Sequence, residues 1–174
     1  MLVLACALSL ATSAHAEAVE LASFEITRNE DSVLLSFTTR FDLPRGVEDA
    51  LQKGVPLHFV AEADVYRSRW YWRDLRVARA SRTWRLAWQP LTRSYRVSFG
   101  GLNQNFETLN DAMTALRGVA RWKIADGSQL EEGARHYVEL RYRLDTGQLP
   151  RPMQIGLAGQ SDWTLVLEHS ARID

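Results

Sequence analysis

Cysteine is nearly absent from this sequence: Cys6 carries the only thiol among 174 residues. Beyond it there is no material for a disulfide framework, a cysteine nucleophile or a thiolate metal site. Lysine is almost as scarce, with Lys53 and Lys123 the only two. Net charge is missing too, since 21 basic residues face 21 acidic ones, so whole-chain electrostatics gives no basis for nucleic-acid binding. The four histidines, His15, His58, His136 and His169, are scattered and form no His-x-x-x-His helix pattern. There is no Gly-x-Ser-x-Gly elbow, no phosphate-cradling glycine loop and no dinucleotide fingerprint. These gaps argue against an enzyme and point to no cofactor and no metal, although a catalytic site can still assemble in space from separate segments.

What is present begins with an apolar run, Leu2 to Ala11, followed by Thr12-Ser13 and the small-x-small triplet Ala14-His15-Ala16. That is the layout of a signal peptide over residues 1–16, with cleavage leaving Glu17 first. The run is shorter than the roughly 20 apolar residues that span a bilayer. The expectation is export to the periplasm of a Gram-negative bacterium, with an uncleaved N-terminal anchor as the competing reading. Loss of the leader would also remove Cys6, which suits an oxidising compartment.

From residue 17 the dominant period is two. Strands are predicted around Leu21 to Ile26, over Val33 to Phe37 after the Asn29-Glu30-Asp31 turn, and over Val55 to Tyr66. In the last of these Leu57, Phe59, Ala61, Ala63 and Val65 alternate with His58, Val60, Glu62, Asp64 and Tyr66, the pattern of a half-buried antiparallel strand. Further strands are expected at Arg69 to Val77, Arg82 to Gln89, Ser94 to Phe99, Val119 to Ile124, Arg135 to Leu144 and Trp163 to His169. Two short helices interrupt them. One runs from Pro44 to Lys53 with Gly54 as its stop; the other follows the Thr108-Leu109-Asn110-Asp111 capping box and ends at Gly118. No βαβ rhythm and no internal repeat occurs. The pattern predicts an all-β, mainly antiparallel sandwich or open barrel of about nine strands, a single domain over residues 17–174.

The least ordinary stretch is 67–96. Nine arginines (Arg67, Arg69, Arg73, Arg76, Arg79, Arg82, Arg85, Arg93 and Arg96) face one acid, Asp74, and are interleaved with Trp70, Tyr71, Trp72, Trp84, Trp88 and Tyr95. Guanidinium stacks on aromatic rings and grips carboxylates or phosphates through two parallel hydrogen bonds. One reading is a face for an anionic partner, with Arg67, Arg69, Arg73, Arg76, Arg85, Arg96, Trp70 and Trp72 as its binding residues. The plainer reading is structural: Trp70 and Trp72 point from a strand into the core, and the arginines pair across strands with Glu62, Asp64 or Glu139 on a wet face.

His58, Glu62 and Asp64 share one strand face, but His58 and Asp64 stand about 20 Å apart on a straight strand, too far to hold one ion together. His136 alternates with Val138 and Leu140, as a packed histidine would. Adjacent Glu131-Glu132 does not set the carboxylate separation that a glycosidase needs.

Arg69-Trp70-Tyr71-Trp72-Arg73-Asp74, then Pro90-Leu91-Thr92-Arg93-Ser94-Tyr95-Arg96-Val97, and Leu144-Asp145 followed by Leu149-Pro150-Arg151-Pro152-Met153-Gln154-Ile155 together resemble the bacterial domain of unknown function family 4390. Ala50-Leu51 with Gly54-Val55-Pro56 extends the likeness over nearly the whole chain after residue 16. The chain departs from the family pattern after Trp163, where Leu167-Glu168-His169-Ser170 stands in place of a second tryptophan. The resemblance implies a proteobacterial exported protein, supplies no catalytic or binding residues, and implies a periplasmic accessory role in envelope sensing beside a sensor histidine kinase. The expected function is a non-enzymatic binding or accessory protein of the cell envelope, meeting an envelope protein or an anionic lipid or polymer, with no nucleic-acid partner. The alternatives are an enzyme acting on an envelope polymer and a lipid or small-ligand carrier.

Overall fold

The computed structural model describes residues 19–157 and 160–174. The signal-peptide reading of residues 1–16, with Cys6, lies outside the described residues. Nine strands and three short α-helices follow one another among the described residues: β1 (Glu20–Arg28), β2 (Ser32–Arg40), α1 (Arg45–Gln52), β3 (Leu57–Arg67), β4 (Leu75–Gln89), β5 (Ser94–Phe99), β6 (Leu102–Phe106), α2 (Leu109–Leu116), β7 (Gly118–Asp126), β8 (His136–Leu144), α3 (Arg151–Gly156) and β9 (Val166–Ile173). Period-two alternation yields two antiparallel sheets, one ordered β1-β2-β7 and the other β6-β5-β4-β3-β8-β9. They form an open sandwich and do not close into a barrel.

The inner face of the larger sheet is built from alternate residues of neighbouring strands. Phe59 sits in register with Trp84 and Leu144, and Ala61 with Arg82 and Tyr142. Phe37 and Phe41, from β2 and the segment after it, meet this face edge-on or tilted at Tyr142, with ring centroids 6.0 and 5.9 Å apart. The core between the sheets is thus filled by Phe37, Phe41, Phe59, Trp84, Trp122 and Tyr142, all buried. Helix α2 lies over β5 and β6 and reaches β7 of the smaller sheet at its end. It begins as its sequence dictates, with the Thr108 hydroxyl accepting the Asp111 N–H at 3.1 Å.

Four local expectations change. Of the strand expected over Arg69 to Val77, residues 69–74 form a loop and only Leu75 to Val77 are extended: β3 ends at Arg67 and the chain loops out before β4 begins at Leu75. β4 is one strand of 15 residues rather than two, because β3 pairs with it from Leu75 through Ala78, Arg79 and Ala80 to Leu86 and holds a segment of weak strand propensity extended. β6 carries almost no apolar alternation, which hides it in the sequence; it is recruited at the sheet edge by backbone pairing with β5. The third helix, α3, starts at Arg151 behind Pro150, with Pro152 in its first turn. Prolines that exclude a central strand are well suited to a helix N-terminus.

Candidate functional site

The loop between β3 and β4 presents Trp70, Tyr71 and Trp72 to solvent, at 93%, 70% and 72% exposure. The expectation that Trp70 and Trp72 point into the core is therefore overturned. A strand there would need an outer row of partners, and the backbone hydrogen bonds of the loop go elsewhere. The Ser68 N–H donates to the Arg135 carbonyl at 2.9 Å. Asp74 closes the loop, its carboxylate accepting the Arg69 backbone N–H at 2.9 Å and the Tyr137 hydroxyl at 2.8 Å. Those two donors, with the Arg69 charge, hold the Asp74 carboxyl below the usual carboxylate range against a small opposing effect of desolvation. Burial and the Asp74 hydrogen bond push the Tyr137 hydroxyl up, so it stays a donor.

Beneath the loop, one register row on the outer face of the larger sheet reads Arg76, Tyr66, Tyr137 and Arg172 across β4, β3, β8 and β9. The two phenol rings stack at 5.3 Å with 17° between planes. Arg135 and Arg172 border a shallow cleft of ≈310 Å³ with Ser68 and Tyr137 at the base of the loop. Arg69, Arg73, Arg135 and Arg172 make no ion pair among the described residues. A cluster of indole, phenol and free guanidinium groups can stack, donate hydrogen bonds and attract negative charge.

The structure brings six of the eight expected binding residues to this end and leaves two elsewhere. Arg69, Trp70, Trp72 and Arg73 belong to the loop. Arg67 flanks it but is paired with Glu131, and Arg76 leans on Asp64 at 3.7 Å. Arg85 lies about 30 Å further along β4, opposite His58. Arg96 donates to the Asn105 side chain at 3.1 Å on the β5–β6 edge. The structural reading holds for part of the stretch: Arg79 grips Asp64 through two bonds of 2.7 and 2.8 Å, and Trp84 is core. Arg82 points inward, where its guanidinium lies over the rings of Phe99 and Trp122 at 5.0 and 5.4 Å. Arg135 and Arg172 were not singled out from the sequence. They are more than thirty residues apart, and only the β8–β9 pairing sets them side by side.

Middle rows of the outer face form a different surface. Glu62, Asp64, Arg79, Glu139, Arg141 and Glu168 border a cleft of ≈450 Å³. Glu168 pairs with Arg141 at 3.2 Å, and Arg143 approaches Glu62 at 3.9 Å. His169 borders this cleft, but its ring packs edge-on against Phe24 of β1 at 4.6 Å. The result is an ion-pair ladder of the kind exposed strands use. No group of His, Asp or Glu side chains that could hold a metal occurs among the described residues. No helix among them is long and apolar enough to cross a membrane.

A family model described as Domain of unknown function (DUF4390) matches residues 16–172, nearly the whole chain. The chain belongs to the DUF4390 family. No curated protein and no solved structure matches it. The three segments that carry the family likeness in the sequence fall, in this DUF4390 chain, on the aromatic loop, on the β4–β5 turn with β5, and on the segment that leads into α3.

Proposed function

We propose that this DUF4390 protein is an exported, periplasmic binding or accessory protein of the cell envelope that docks an anionic partner through the β3–β4 loop and the arginines around it, in support of envelope sensing. The observation that carries the reading is the exposure of Trp70, Tyr71 and Trp72 together, on a loop whose Arg69 and Arg73 have no ion-pair partner among the described residues. Soluble proteins rarely leave a contiguous apolar patch of several hundred Å² uncovered without a use for it. Trp, Tyr and Arg are also the side chains that anchor interfaces.

The alternatives find less support. A carrier needs a hollow interior, and the space between the sheets is occupied by packed aromatic rings. Against an enzyme, the outer-face cleft gathers Glu62, Asp64, Glu139 and Glu168, yet Asp64, Glu62 and Glu168 are already matched to arginines.

A photo-crosslinking residue placed at Trp72, and separately at Leu91, which is fully exposed at the far end of β4, tests the reading in intact cells. The expected result is a specific adduct, with protein or lipid, at position 72 and none at 91, lost when Arg69 and Arg73 are both changed to Glu. Equal labelling at both positions, or none at 72, would end it.

A further inference from the structure

We propose that the Trp70–Trp72 tip is a membrane-interface anchor that seats the protein on a bilayer carrying anionic phospholipid. The inference rests on the docking reading above and names the surface that the same residues meet.

Three observations favour a lipid surface over a protein partner. The first is chemical. Indole and phenol groups carry an apolar ring with one polar end, which is why Trp and Tyr collect at the headgroup level of membranes. Here three such rings stand together, Trp70 and Tyr71 edge-on at 5.0 Å, with the stacked Tyr66–Tyr137 pair behind them.

The second is size and shape. If fully covered, three such rings bury roughly 500 Å², whereas a stable protein complex takes about 800 Å² from each partner. The loop is a protruding tip, and the cleft at its base is small and bordered by polar residues. A bilayer closes around a convex tip without needing a complementary groove.

The third is charge. Arg69, Arg73, Arg135 and Arg172 have no carboxylate partner among the described residues, and guanidinium binds phosphate oxygens in pairs. Of the acids at this end, Asp74 is held by the Arg69 N–H and the Tyr137 hydroxyl and Glu131 by Arg67, while Glu30, Glu132 and Asp174 border a separate cleft with Arg28 and Gly127. The four unpaired guanidinium groups leave the loop and its base with an excess of positive charge that favours a negative surface.

The test uses the full chain with Cys6→Ser and an environment-sensitive thiol label at Trp72→Cys or, separately, at Leu91→Cys. Each is titrated with phosphatidylethanolamine vesicles that contain or lack phosphatidylglycerol. The readout is local, so attachment of the chain elsewhere does not mimic it. The expected result is a blue shift at position 72 that requires phosphatidylglycerol and is absent at 91. Adding Arg73→Glu or Arg172→Glu should raise the lipid concentration at half-shift by about fivefold each, and added salt should do the same. A label at 72 that stays in water on phosphatidylglycerol vesicles overturns the membrane inference. If the crosslinker at Trp72 then captures a protein through Arg69 and Arg73, the docking reading survives with a protein partner; if it captures nothing, both fall.

Discussion

His136 is a polar side chain set into an apolar interior. It alternates with Val138 and Leu140 along β8 and is 2% exposed, and neither ring nitrogen makes a hydrogen bond of good geometry. Burial lowers its pKa, the positive charges of Arg28 and Arg67 lower it further, and the Ala134 carbonyl opposes them in part. The unfolded imidazole takes up its proton near the ordinary value of 6.5, and the folded one only at lower pH. Between those values the unfolded state binds more protons, so stability falls as pH drops, while above 6.5 the contribution is complete. Urea midpoints should therefore fall from neutral to mildly acidic pH, and His136→Leu should flatten that fall. Some slope will remain, because His58 shifts the same way through burial and the Arg85 charge. An unchanged slope in the variant would show that His136 is protonated freely in the folded protein. The sequence placed this histidine on a packed face by its parity, but its lack of partners depends on what β1 and β3 bring to the same spot.

At the scale of elements, β7 shows how one small residue decides a pairing. Gly118 faces Thr38 of β2, and a Cβ there would stand 2.6 Å from the Phe37 carbonyl oxygen and 3.2 Å from the Thr38 Cα. Both are backbone atoms of the neighbouring strand and cannot swing aside, so glycine is required by close approach. Gly118→Ala should destabilise the protein by about 1–3 kcal/mol, with amide exchange rising first along β2 and β7. Chemical denaturation followed by hydrogen exchange would check both, and a neutral result would mean that the strands separate at little cost. In the sequence this glycine reads only as the end of α2. The β3–β4 loop carries the same lesson in reverse. Arg69 to Asp74 alternates well enough to pass for a strand, yet Asp74 takes the Arg69 N–H and the Tyr137 hydroxyl from across the sheet and turns the segment outward.

For the whole molecule, Tyr142 is the point where three layers meet. Its ring lies 6.0 Å from Phe37 of the smaller sheet and 6.1 and 6.2 Å from Phe59 and Trp84 of the larger. Its hydroxyl donates to the Leu116 carbonyl at the end of α2, 2.9 Å away and buried. Tyr142→Phe leaves that carbonyl unpaired and should cost about 1–3 kcal/mol; Tyr142→Ala should cost about 3–5 kcal/mol through the cavity as well. Denaturant melts of the two variants would separate these contributions, and a Phe variant as stable as the parent would show that water satisfies the carbonyl. The sequence by itself determined that this chain would be a β-sheet protein, because parity along β2, β3 and β8 assigns each side chain to a face before any strand finds its neighbour. It also marked the stretch rich in arginine and tryptophan. Only the tertiary structure decided which of those groups became a ladder, which became core and which were left in water, since that depends on the partner each strand meets across the sheet and on hydrogen bonds between residues more than sixty positions apart.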